Sequence, residues 1–232
     1  MTNPAPLTPD ELAELRRFPS PTVANALERF RVRGRCEGVT HIGVQCQFPE
    51  LGPVVGYAVT ATARSARPPE GGKPASRKPY WDYVLTVPPP RLVVVQELDQ
   101  PPGGALWGEV NASIHLALGC VGVLTDGTVR DLEEVGRLGF QFWAAGVEVS
   151  HGYARVERFG EPVTVFGLAV RPGDLIHADR HGAVVIPAAV ARDVAAACRA
   201  VEAYERPMLE LCRSAEFSTA KLAELMHHGT VE

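Results

Sequence analysis

Arg91-Leu-Val-Val-Val-Gln-Glu-Leu98, Val121-Gly-Val-Leu-Thr125 and Phe140-Gln-Phe-Trp-Ala-Ala145 decide how this chain folds. The first is a continuous β-branched run, as a strand buried on both faces would be, and the other two read as further strands. Between them lie two helical stretches, Glu109 to Leu118 closed by Gly119, and Asp131 to Leu138 closed by Gly139. Glycine just past a helix end is a common stop because it accepts the left-handed conformation there. Strand, helix, strand, helix, strand in this order implies parallel strands with right-handed crossovers. The expected class is α/β, built on one parallel sheet.

Working outward, residues 8–30 read as two helices. Thr8 can cap the first, with Glu11 three residues on, and Ser20-Pro-Thr-Val-Ala-Asn-Ala-Leu27 starts the second. Val55 to Ala63 reads as a strand. Arg64 to Lys78 is a loop rich in Pro, Gly and basic residues. Downstream, Val163 to Val170 is strand-like, and Arg171-Pro-Gly-Asp174 is a turn. Two further strands, Asp174 to Ala178 and Ala183 to Pro187, flank the turn Asp179-Arg-His-Gly182. Residues 188–213 are alanine-rich and helical until Pro207 interrupts them, and an amphipathic segment over 218–228 closes the chain. We expect a single domain over residues 1–232, with N-terminal helices over 1–35 and a C-terminal helical extension over 188–232.

Composition narrows the function. The 232 residues are 46% hydrophobic, enough for a sizeable core. A net charge of −4, with both signs interspersed, argues against nucleic acid as a ligand, which needs a concentrated basic surface. No run approaches the roughly 18–20 apolar residues needed to cross a bilayer. Residues 1–10 are polar and proline-rich and lack a signal-peptide pattern. The five cysteines (Cys36, Cys46, Cys120, Cys198, Cys212) are odd in number and contain no Cys-x-x-Cys pair. They read as buried reduced thiols of a cytoplasmic protein.

In parallel sheets, ligands gather at the carboxyl ends of the strands. Two loops leave consecutive strands there, Gly103 to Asn111 and Thr125 to Asp131, and they should bring Glu109, Arg130 and Asp131 together. Each loop feeds a helix N-terminus, where unpaired amides and the helix dipole favour anions. Arg130 can fork two hydrogen bonds to a carboxylate, and the amides of Glu109, Val110 and Asn111 can receive the rest. Asp131 and Glu109 give a hard oxygen site for Mg²⁺ or Mn²⁺, which can polarise a 2-oxo group and stabilise an enolate. The same residues allow a purely structural reading: Asp131-Leu-Glu-Glu134 matches a capping box and Glu109 suits a helix start. Residue types and spacing leave both open.

Gly108-Glu109, twenty intervening residues and then Arg130-Asp131 resembles the signature of the RraA-like proteins, a group that includes 4-hydroxy-4-methyl-2-oxoglutarate aldolases. The likeness runs from about Pro21 to Pro187 and is clearest in Ala105-Leu-Trp-Gly-Glu109, Gly122-Val-Leu-Thr-Asp-Gly-Thr-Val-Arg-Asp131, Pro172-Gly-Asp-Leu-Ile176 and Gly182-Ala-Val-Val-Ile-Pro187. The resemblance implies a swivelling β/β/α core like the phosphohistidine domain, assembled as a homotrimer or homohexamer with sites between subunits. It implies Asp131 as the direct ligand of a divalent cation and Arg130 as the partner of the substrate's pyruvyl oxygens. Residues 108–111 would cradle the carboxylate. Glu109 would take the place of the acid that holds water on the metal, and Glu202, Glu205 or Glu210 could complete a neighbouring site. The implied activity is class II cleavage of a 4-hydroxy-2-oxo acid to pyruvate and a carbonyl product, with oxaloacetate decarboxylation through the same enolate. The alternative within the resemblance is a regulator of RNase E that acts by protein–protein binding without catalysis.

Two features stand outside the pattern. The basic residues Arg64, Arg67, Lys73, Arg77 and Lys78 read mainly as a solvated loop that could recruit an anion. His177 and His181 straddle a turn and do not read as a zinc pair, whereas His151, in Ser150-His-Gly152, is a candidate acid or base.

Overall fold

The computed structural model of the protein describes residues 5–70 and 76–227. Met1 to Pro4, Lys73 of the basic loop and the end of the C-terminal segment lie outside them. In chain order, α1 (Pro9–Leu15) and α2 (Ser20–Glu28) precede a short β1 (Gln45–Cys46) and a long β2 (Val54–Arg64). Then follow α3 (Lys78–Thr86), β3 (Arg91–Glu97), α4 (Glu109–Ala117), β4 (Cys120–Thr125), β5 (Thr128–Val129), α5 (Leu132–Leu138) and β6 (Gln141–Ala144). After β7 (Gly146–Val147) and β8 (Arg155–Phe159) come the hairpins β9 (Val163–Val165) with β10 (Leu168–Val170), and β11 (Leu175–Asp179) with β12 (Gly182–Ile186). Helices α6 (Val194–Arg213) and α7 (Thr219–His227) close the chain.

The main sheet runs β1-β6-β4-β3-β2-β11-β12, with β8 also paired to β2. Strands β2, β3, β4 and β6 are parallel, as the alternation of strands and helices requires. Both faces are covered. On β3, Val93 and Val95 face a core closed by Leu15, Val23, Val84, Ala112, Val135 and Val194 of the helices. Leu92 and Val94 face the opposite core, closed by Val163, Val165, Leu168 and Val170 of the β9–β10 hairpin. The result is three layers, helices, sheet and hairpin, which is the β/β/α arrangement. It also explains why Leu92–Val95 is apolar without alternation.

Several expectations are met in detail. Thr8 and Glu11 form a reciprocal capping box on α1, at 2.6 and 3.3 Å. Gly119 and Gly139 take left-handed φ values of 73° and 72° behind α4 and α5. His177 is fully buried with Nε2 on the Phe18 carbonyl at 3.0 Å, and His181 pairs with Asp179.

Others are corrected. Residues 163–170 are not one strand, because Phe166 and Gly167 both adopt positive φ (47° and 77°) and reverse the chain in a tight hairpin. Helix α3 and strand β8 form where no element was expected; Tyr80 and Val84 drive α3 by burial. Helix α6 begins only at Val194 and runs through Pro207 to Arg213. Its buried residues end at Val201, so the carbonyl that Pro207 leaves without a partner sits on an exposed half where water can satisfy it. Of the free cysteines, Cys120 and Cys198 are buried, Cys46 is half-buried, and Cys36 and Cys212 are exposed, so the reading as buried thiols holds for only two. No helix among the described residues is long and apolar enough to cross a membrane.

Candidate active site

The start of α4 and the connection from β5 to α5 meet at the carboxyl edge of the parallel strands. A bridge between Trp107 and Val129 lays the two segments side by side, and the Arg130 amide donates to the Trp107 carbonyl at 2.9 Å. Gly108-Glu109 therefore lies against Arg130-Asp131, although 20 residues separate the two pairs in sequence.

Asp131 has a left-handed backbone, φ 56° and ψ 44°, and stands at the N-cap position of α5. Its carboxylate does not cap that helix. Instead Oδ2 accepts the Glu109 amide of α4 at 3.0 Å and lies 3.6 Å from Nε of Arg130. The capping box with Glu134 is thus not formed. A carboxylate set against the first amide of α4 gains from the partial positive charge of that helix end. Both side chains stay accessible, Arg130 at 36% and Asp131 at 34%. Gly108 leaves room for this carboxylate: a Cβ on it would fall 2.4 Å from Asp131 Oδ2.

A third wall comes from residues 150–153. The Ser65 hydroxyl accepts the Gly103 amide at 2.9 Å, and the Ser65 carbonyl accepts the Tyr153 amide at 2.9 Å. The Ala105 amide donates to the Ser150 carbonyl at 2.9 Å. Gly104 packs so closely on this turn that a Cβ would lie 2.4 Å from the Gly152 nitrogen. Asp99 holds the other end by accepting the amides of Ser65 and Ala66 at 2.9 and 3.0 Å. These contacts carry His151 into the site. The fourth wall is Arg77, immediately before α3, whose Nη1 donates to Oδ1 of Asn111 at 3.1 Å. Asn111 is itself held by a bond from Nδ2 to the Leu106 carbonyl.

Together these walls enclose a cleft of about 260 Å³ lined by Arg77, Ala105, Gly108, Val110, Asn111, Arg130, Asp131 and His151. Of the residues expected from sequence, Gly108, Val110, Asn111, Arg130 and Asp131 meet there. Glu109 is exposed and does not line the cleft; its backbone amide, not its carboxylate, contacts Asp131. Arg77 was read only as part of a solvated loop. The signal that could have found it is Lys78-Pro79, since proline favours the first helical turn and would place Arg77 at a helix start.

Beneath the cleft, His115 bonds the Asn111 carbonyl through Nδ1 at 2.7 Å and the Tyr80 hydroxyl through Nε2 at 3.1 Å. Burial pushes the His115 pKa down to about 4, against a smaller opposing effect of the Asn111 bond. The ring is therefore neutral near pH 7, with Nδ1–H donating and Nε2 accepting. Burial likewise raises the Tyr80 phenol. Just behind, burial pushes Asp126 up to about 6 while its Oδ1 accepts the Glu97 amide at 2.6 Å. The charges lining the cleft itself are two guanidiniums and one carboxylate, a balance that favours an anionic ligand. Among the described residues no three His, Cys, Asp or Glu side chains converge as a metal cluster.

Comparison with known proteins agrees with this architecture. The family described as RraA-like, Aldolase/RraA, matches residues 20–185. Protein DlpA of Legionella pneumophila is 29% identical over 108 residues, 46% of this chain and 17% of that protein. A protein of Halalkalibacterium halodurans, named as a candidate 4-hydroxy-4-methyl-2-oxoglutarate aldolase, is 30% identical over 84 residues, 36% of this chain and 40% of that one. The matched stretches thus span less than half the length of either curated relative. Among solved structures, an uncharacterized protein from Pseudomonas syringae superposes with a TM-score of 0.72 at 23% identity, covering 97% of this chain and 96% of the other. Streptomyces coelicolor RraAS2, described as an unusual member of the RNase ES inhibitor RraA family, superposes with a TM-score of 0.68 at 22% identity, covering 87% and 96%. The family match takes in every residue of the cleft, and the fold is shared over nearly the whole chain: the protein belongs to the RraA-like family.

Proposed function

We propose that this protein is a divalent-metal-dependent carbon–carbon lyase that cleaves a 4-hydroxy-2-oxo acid to pyruvate and a carbonyl product, with oxaloacetate decarboxylation as a second activity of the same site. The observation that carries the reading is the placement of Asp131. A left-handed aspartate that leaves its own helix uncapped, beside Arg130 in an accessible cleft, is arranged for a ligand more than for helix stability. The donor set fits a hard cation with few protein ligands: Oδ1 of Asp131 takes part in no hydrogen bond among the described residues, and Mg²⁺ or Mn²⁺ commonly keeps several positions for water or substrate. Asp131 would hold the ion, and Glu109 would reach it only by turning its exposed carboxylate inward. When bound, such an ion supplies Lewis-acid polarisation of the 2-oxo group.

The chain's own groups supply the rest. Arg130 pairs with the carboxylate and 2-oxo oxygen of the substrate, and the α4 amides beside Gly108 offer further donors. His151, on the opposite wall, takes the proton of the C4 hydroxyl as the C3–C4 bond breaks and its electrons pass to the pyruvate enolate. Arg130 stabilises the negative charge that develops there, and a proton delivered to C3 completes pyruvate.

The same reading includes a homotrimer or homohexamer. Val110, Val149 and Tyr153, at 70%, 96% and 53% exposure, place apolar side chains around the cleft, a distribution suited to a covering neighbour. In such an assembly Glu202, Glu205 or Glu210 of α6 could serve the site of the next subunit.

The test is pyruvate release from 4-hydroxy-4-methyl-2-oxoglutarate, 4-carboxy-4-hydroxy-2-oxoadipate, oxaloacetate and sugar-derived 2-oxo acids, with Mg²⁺, Mn²⁺ or chelator. Arg130→Lys keeps the charge but loses the planar fork, so kcat/KM should fall by about one to two decades, from roughly 1.5–3 kcal/mol per charge-assisted bond. If no 2-oxo acid is turned over with any divalent ion, the reading as a non-catalytic regulator of an RNase becomes the better one.

A further inference from the structure

We infer that Arg77 is a specificity-determining residue: it receives a second anionic group, carboxylate or phosphate, at the end of the ligand remote from the one Arg130 holds. This rests on the anion-binding reading of the cleft given above, but not on the lyase chemistry. Arg77 is no free loop arginine. Its guanidinium is tethered to Asn111 at 3.1 Å, and Asn111 is fixed in turn on the Leu106 carbonyl. One turn along each helix, Tyr80 of α3 and His115 of α4 are joined at 3.1 Å in a buried contact. Helix α3 is therefore fastened to α4 at two points, and Arg77 is held at the start of α4, lining the same cleft as Arg130.

The charge balance leaves Arg77 open to a second anion. Arg130 has Asp131 3.6 Å away, whereas Arg77 makes no salt bridge among the described residues and touches only a neutral amide. The neighbouring residues 71–75 contain no acid that could supply one. A ligand with a single carboxylate on Arg130 would leave Arg77 to solvent. A ligand with an anion at each end satisfies both forks.

The experiment is equilibrium binding by calorimetry, in Mg²⁺ buffer, of three non-cleavable probes with the same 2-oxo acid head. These are 2-oxobutanoate, 2-oxoglutarate, which adds a distal carboxylate, and 2-oxo-4-phosphonobutanoate, which adds a distal phosphonate. The protein should prefer at least one doubly charged probe over 2-oxobutanoate by about one to two decades, the worth of one charge-assisted pair. The preferred probe identifies the chemistry of the distal group. In Arg77→Gln that affinity should fall to the level of 2-oxobutanoate, and Arg77→Lys should recover part of it. Thermal unfolding of each variant checks that the fold is kept; since Arg77 is exposed, little change is expected. Equal binding of all three probes by the wild type, or an Arg77→Gln variant that retains the preference, would overturn the assignment. The preference without any turnover would support Arg77 while removing the lyase reading, and turnover without the preference would do the reverse.

Discussion

Asp131 shows how one residue serves backbone and chemistry together. Its left-handed conformation costs a β-carbon residue roughly 1–2 kcal/mol, and Asp and Asn tolerate it best. Asp131→Asn keeps that tolerance and an oxygen for the Glu109 amide, so urea unfolding should change by only about 0.5 kcal/mol. Asp131→Ala loses both and should cost about 1–2 kcal/mol more. Metal titration by calorimetry should show divalent-ion binding lost in both; unchanged affinity would remove Asp131 from the site. Gly108 offers a complementary probe. Its alanine variant pushes against Asp131 Oδ2 and not against backbone, so Asp131 moves aside. The proposed lyase activity should drop at least about tenfold, one decade per roughly 1.4 kcal/mol, with little change in the unfolding midpoint. A Gly108→Ala enzyme with normal activity would mean that the position of this carboxylate is unimportant.

Two elements are tied into the fold by single polar residues, and both ties depend on pH. Asp179 at the end of β11 accepts the Ser20 amide at 2.8 Å and the Ser20 hydroxyl at 2.5 Å, anchoring the start of α2 from 159 residues away. Burial raises its pKa, but the bonds from Ser20 and His181 outweigh this and hold it below the usual value. Its contribution is therefore present above about pH 4 and lost as pH falls through the lower folded pKa. Asp179→Ala should cost about 2–4 kcal/mol near pH 7, from lost charged hydrogen bonds in a buried place. His115 acts in the other tie, between α3 and α4. Its folded pKa of about 4 lies below the ordinary histidine value of 6.5, so the unfolded chain binds the proton first as pH drops. Stability should fall between about pH 6.5 and 4, by up to roughly 3 kcal/mol at 1.36 kcal/mol per unit. Asp126, raised to about 6, has the opposite slope over part of that window. The informative measurement is thus the difference in stability between wild type and His115→Gln across pH 4–7. A difference that does not shrink as the pH is lowered would count against a buried neutral His115.

At the scale of the molecule, the exposed apolar residues near the cleft predict its assembly. Val149→Asp with Tyr153→Ser should convert the expected trimer or hexamer to smaller species in light scattering, with activity falling in parallel. A wild-type protein that is monomeric at all concentrations would contradict both the assembly and a shared site. The parallel strands, the helices between them and their glycine stops were legible in residues 91–145, because buried strands and helix ends are enforced by local backbone physics. The pairing of residues 108–109 with 130–131 was legible as well, since consecutive parallel strands deliver their loops to one edge. The sequence by itself could not separate a capping Asp131 from a ligand-facing one, because both need the same residue at the same place. That depends on which amide lies within reach, and only the packing of α4 beside α5 decides it. Nor could it place His151, a candidate acid or base by sequence, in one cleft with Arg77, or keep the Glu109 side chain out of it. Arg77 arrives through contacts of α3 with α4, and His151 through the Ser65 and Gly104 contacts, 47 residues after Gly104 in the chain. Side chains brought together by long-range packing leave no periodicity in sequence, and tertiary structure alone assembles them.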